Sequence, residues 1–154
     1  MSDEKITELR NQSEQFYIEY LQDNYAYVFG KEHKENDTVF SLDKTWDVIR
    51  FLIIESDMTI GKSSNKLYGE PLTENSHNGF NFLFSQDVET MDNLLQKTQT
   101  KDLRQFYNEA KMKRQSIYKT SDFDWSFLES QIEIVKLAFQ KSAKSKSGLI
   151  ISIG

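Results

Sequence analysis

A mixed α/β domain, either α+β or a small layered α/β sandwich with helices packed on a small sheet, is the fold class this sequence predicts. Three observations point there. Apolar residues recur at helical spacing in several segments separated by turn residues. Short β-branched or aromatic runs are few, at 80–84 and at 149–153, and they lie between or after the helical segments. The chain has 154 residues, the usual size of one compact unit, so 1–154 is expected to form a single domain.

Taken in order, Ser2 or Asp3 suits a cap, and Ile6, Leu9, Phe16, Tyr20 and Leu21 follow at helical spacing, which predicts a helix over 3–23. The aromatic stretch 25–29 reads as a short strand or a helix extension, cut by Gly30 and a charged run. Ser41 is expected to cap a second helix in which Leu42, Trp46, Ile49 and Ile53 share a face. Its Asp43 and Asp47 are read as a solvated side. From 55 to 81 periodicity disappears, and Gly61, Gly69, Pro71 and Gly79 punctuate a polar stretch too long for an ordinary connection. Residues 80–84 predict a strand, and Ser85 the cap of a helix ending at Lys97. Two short helices are expected over 100–107 and 108–115. Asp124 caps the last one, whose Leu128, Ile132, Val135 and Phe139 step by helical intervals and whose lysines gather at the negative end of the dipole. Gly148 is expected to end it, and 149–153 to pair into the sheet as a buried C-terminal strand.

Phe, Tyr and Trp number 11, 7 and 2, so the core should be rich in rings, with Trp46 and Trp125 buried in it. Nineteen basic residues against 24 acidic leave a formal charge of -5. That charge disfavours nucleic acid and anionic membranes and favours a basic partner. The absence of cysteine removes thiol chemistry and suits a reducing cytoplasm. The opening residues have no basic stretch leading into an apolar run, and no run approaches the roughly 18 apolar residues of a membrane span, so a cytoplasmic protein is expected.

His33 and His77 each stand in polar sequence without the H-x-x-H neighbour that presents two ligands on one face. Gly61-Lys62-Ser63 resembles the end of a phosphate loop, but Ser56 occupies the position of its first glycine, and the preceding apolar run is helical. Two S-x-x-K matches lack companion motifs. Lys111, Lys113 and Arg114, with Arg104 and Lys119 nearby, read as a solvated basic face rather than a phosphate site. No cofactor and no metal are expected.

Four stretches in order carry a family resemblance. They are Ser41-Leu42-Asp43-Lys44-Thr45-Trp46-Asp47-Val48-Ile49-Arg50-Phe51-Leu52, Leu67-Tyr68-Gly69-Glu70-Pro71-Leu72, Asp102-Leu103-Arg104-Gln105-Phe106-Tyr107-Asn108 with Ile117-Tyr118, and the closing strand from Gly148. Together, over roughly 38–154, they resemble the YfbM-like family of small bacterial proteins, whose biochemical function is not established. The resemblance implies a compact α/β domain and supplies no catalytic residues. Members usually open with a short strand, whereas this chain opens on a polar, helix-like segment.

Two functional classes remain. The first is a non-enzymatic protein-binding module, of the kind an immunity protein or antitoxin represents. It would engage a basic partner such as a toxin domain through the 55–80 segment, with Glu55, Asp57, Glu70 and Glu74 as the contact acids. The alternative is a small enzyme or ligand-binding domain with a pocket beside Gly69-Glu70-Pro71, using Glu70, His77 or Tyr68.

Overall fold

The computed structural model describes residues 1–25, 40, 42, 44–56, 67–72, 79–120 and 123–152. Within them the elements are α1 (Asp3–Arg10), α2 (Glu14–Tyr25), α3 (Trp46–Ser56), β1 (Glu70–Pro71), β2 (Phe80–Leu83), α4 (Ser85–Lys97), a 3-10 helix (Thr100–Phe106), α5 (Glu109–Arg114), α6 (Trp125–Lys144) and β3 (Leu149–Ser152). The three strands form one antiparallel sheet in the order β1-β2-β3.

Strand pleating explains how so small a sheet organises two cores. Side chains alternate faces along a strand, and paired residues share a face. Phe82 pairs with Ile150, and Leu83 with Leu149. Phe80, Phe82 and Ile150 accordingly pack with Ile6 and Leu9 of α1 and Tyr17 and Leu21 of α2. Leu83, Leu149 and Ile151 pack on the opposite side with the apolar faces of α3, α4 and α6. The sheet is therefore a middle layer with helices on both faces. Tyr17 meets Phe80 edge-on, with ring centroids 5.5 Å apart, a favoured aromatic geometry.

The first helix is two. Asn11 ends α1, and the Ser13 hydroxyl accepts from Phe16 N at 3.3 Å to start α2. Both helices face the same side of the sheet, but the break resets the period: Tyr17 and Leu21 are buried, whereas Phe16, read as part of the apolar face, is exposed. The second helix begins at Trp46, five residues after Ser41. Lys44 stands at φ +63, outside helical geometry, and the Thr45 carbonyl accepts the first backbone bond, from Ile49 N. Ser41 itself lies outside the described residues, as do most of 25–29 and both histidines.

Ser85 is not a cap but the first residue of α4. Its N–H and hydroxyl both donate to the Asp3 carboxylate, at 2.8 and 2.6 Å. An acid from α1 thus satisfies the N-terminal end of a helix 82 residues away and complements its dipole. Asp124 caps α6 as expected, accepting from Phe127 N at 2.8 Å. Gly148 does not end that helix, since Ser145 occupies the C-cap. Gly148 instead exchanges both backbone hydrogen bonds with Met1, and a β-carbon there would stand 2.4 Å from the Leu83 carbonyl oxygen. β3 pairs along β2 as expected, but it is half-buried rather than buried. Trp46 and Trp125 are half-buried too, packed on the edge of the core. No helix among the described residues is long and apolar enough to cross a membrane.

Candidate functional site

Three of the four segments that carry the family resemblance meet at the start of α3. Asp47, the second helical residue, is 6% exposed and not on a solvated face. One of its oxygens accepts from Arg50 Nε and Nη2, at 3.0 and 2.5 Å, and the other accepts from Tyr118 N at 2.9 Å. Tyr118 thereby reaches the helix from 71 residues away, in a turn where Ser116 and Lys119 both adopt left-handed φ. Tyr68 donates its hydroxyl to the Trp46 carbonyl at 2.7 Å and packs edge-on to the indole. Burial pushes the Tyr68 phenol far above its ordinary range, against a smaller opposing pull from the Arg50 charge. The cluster is a clasp: a buried carboxylate and a buried phenol, each spent on backbone groups of another segment.

The four acids expected to meet a partner are not alike. Glu55, near the end of α3, is half-buried, and its carboxylate is held by Lys111 of α5. That contact ties two helices together. Glu70 is exposed on β1, at the edge of the sheet, and its carboxylate has no hydrogen bond or ion pair among the described residues. Asp57 and Glu74 lie outside the described residues, and so does His77.

Gly69 has a structural duty. It stands at φ +72, and a β-carbon there would lie 2.0 Å from the Phe82 carbonyl oxygen. Only glycine lets β1 approach β2 so closely. In Gly69-Glu70-Pro71 the glycine fits the strand to the sheet, while Glu70 and Pro71 face outwards.

A cleft of about 250 Å³ lies elsewhere, lined by Arg104, Tyr107 and Trp125. The 3-10 helix carries Arg104, and Tyr107 closes that helix. Asn108 then starts α5 by accepting from Lys111 N at 2.9 Å. Tyr107 is fixed by donating its hydroxyl to the Thr120 carbonyl at 2.8 Å, and its phenol is pushed upward by burial and secondarily by the Glu109 charge. Trp125 opens α6 beside its Asp124 cap. From sequence alone Trp125 belongs to the core and Arg104 to a solvated face. The i, i+3 spacing of Arg104 and Tyr107 was visible, but Trp125 joins them only through the tertiary fold. Among the described residues no three acidic or histidine side chains converge as metal ligands.

A family model described as a domain of unknown function, DUF1877, matches residues 1–152. It extends through the N-terminal helices, beyond the 38–154 over which the resemblance was drawn. No curated protein and no solved structure matches the chain.

Proposed function

This chain belongs to the DUF1877 family, the YfbM-like domains of unknown function, and from that premise we propose that it is a non-enzymatic protein-binding module acting on a basic partner in the manner of an immunity protein or antitoxin. The observation that supports this reading is the placement of Glu70. The acid stands exposed and unpaired among the described residues, on an edge strand locked to the sheet by Gly69. It belongs to a chain of formal charge -5. An exposed surface acid steers a basic protein towards the sheet edge. Pro71 beside it withholds a backbone N–H, which discourages indiscriminate strand pairing at that edge.

Other ionisable groups near the core serve the fold: Asp47 holds Arg50 and Tyr118 N, and Glu55 holds Lys111. The partner surface we propose is centred on Glu70, with Asp57 and Glu74 as further contact acids, while the Glu55 carboxylate stays with Lys111. A cytoplasmic location belongs to the same proposal, since a cysteine-free chain suits a reducing compartment. Affinity capture from a native extract, with wild-type protein and Glu70→Lys side by side, tests it. A basic protein retained by the wild type and depleted by the variant supports the reading. Partners that are acidic, or retained equally by both, overturn it.

A further inference from the structure

We propose that the cleft between Arg104, Tyr107 and Trp125 is a binding site for a monocarboxylate carried on an aromatic ring. This site is separate from the Glu70 edge, and the proposal does not rest on the partner reading. Three properties of the cleft select the ligand. The first is charge. Arg104 is exposed, and among the described residues nothing accepts a hydrogen bond or an ion pair from its guanidinium. A single guanidinium matches a single negative charge, and its planar fork matches the two oxygens of a carboxylate. A phosphate dianion calls for further cations or convergent backbone N–H groups, and among the described residues the cleft lining contains neither a lysine nor a second arginine.

The second property is the apolar lining. Tyr107 and Trp125 are both half-buried, so each presents part of a ring to the cleft, and rings favour aromatic neighbours beyond the area they cover. The third is preorganisation. Tyr107 is held through its hydroxyl by the Thr120 carbonyl, so that hydroxyl is already occupied and the ring is fixed. Trp125 is mounted on the first turn of a capped 20-residue helix. A ligand therefore has chiefly the Arg104 side chain left to order. The volume of about 250 Å³ lies just under the usual range of small-molecule pockets, so the occupant has one ring rather than several. Such chemistry comes from two sources, a free aromatic acid or the C-terminal aromatic residue of a peptide.

The test uses the full chain labelled with nitrogen-15, following the indole N–H signal of Trp125, assigned by its loss in Trp125→Phe. The probes are 3-phenylpropionate, N-acetyl-phenylalanine, its C-terminal amide, and a hexapeptide ending in phenylalanine with a free carboxylate. Saturable movement of the Trp125 signal is expected with the three carboxylates at about millimolar concentration, the level fitting a ligand of this size. The uncharged amide should bind at least about tenfold more weakly, because the charge-assisted fork is lost. Arg104→Gln should abolish saturation, and Arg104→Lys, which keeps charge but not the fork, should weaken it about fivefold. Arg104 is exposed, so both variants are expected to keep the wild-type thermal transition. A peptide that binds tenfold tighter than the single acids identifies a protein terminus as the source, and the reverse order identifies a small acid. No saturable shift, equal binding of the amide, or undiminished binding by Arg104→Gln overturns the proposal.

Discussion

Replacing Asp47 by alanine probes the clasp at the start of α3. The substitution removes the acceptor for Tyr118 N and both contacts to Arg50. A hydrogen bond to a charged group contributes about 1.5–3 kcal/mol, and the lower end applies here because Tyr118 is 44% exposed. The Arg50 side chain is 39% exposed, so its charge returns to water when the partner is lost. The pair is therefore discounted to about 0.5–1 kcal/mol. The expected loss is about 2–2.5 kcal/mol, which lowers Tm by roughly 4–10 °C in a domain of this size. Asp47→Asn keeps an acceptor for Tyr118 N and should lose about half as much. Urea denaturation followed by circular dichroism measures the loss, and amide exchange at Tyr118 localises it. The turn with Ser116 and Lys119 at left-handed φ should exchange faster in the alanine variant before the core does. A loss below about 0.5 kcal/mol, or unchanged exchange at Tyr118, would refute the clasp.

Gly69→Ala should cost about 2–5 kcal/mol, combining a left-handed φ with overpacking against the Phe82 carbonyl; wild-type stability by urea denaturation would exclude the close β1–β2 approach. Tyr68 is kept neutral by burial, its pKa raised. Its contribution to stability is therefore fully present below the unfolded tyrosine value of about 10 and falls by up to about 1.4 kcal/mol per pH unit above it. Tyr68→Phe should lose about 0.5–1.5 kcal/mol at neutral pH through the bond to the Trp46 carbonyl. It should also show a shallower alkaline decline than the wild type, as thermal melts across pH 8–12 would reveal.

What could be read from the chain was what neighbouring residues decide. The buried positions Leu128, Ile132, Val135 and Phe139 of α6 follow directly from their spacing, as does the Asp124 cap. What escaped depends on residues far apart in sequence. Ser85 looks like a cap until Asp3 arrives from α1, and Asp47 looks solvated until Tyr118 N reaches it. β1 is two residues long with both side chains exposed, so no alternation marks it. Its pairing depends on the missing side chain of Gly69. For the candidate sites, the acidity around Glu70 was legible. The occupation of Glu55 by Lys111, and the meeting of Trp125 with Arg104 and Tyr107, required the packing of α3 on α5 and of α6 beside the 3-10 helix.

Association kinetics of the captured basic partner bear most directly on the partner-binding reading, with wild-type protein, Glu70→Lys and Glu55→Gln compared at low and high salt. Glu70→Lys is expected to slow association several-fold at low salt, with little change in dissociation, and the difference should shrink as salt screens the exposed charge. Glu55→Gln, whose carboxylate is turned to Lys111, should leave association close to wild type. Identical association rates for wild type and Glu70→Lys at low salt would contradict the proposal that the sheet edge receives the partner.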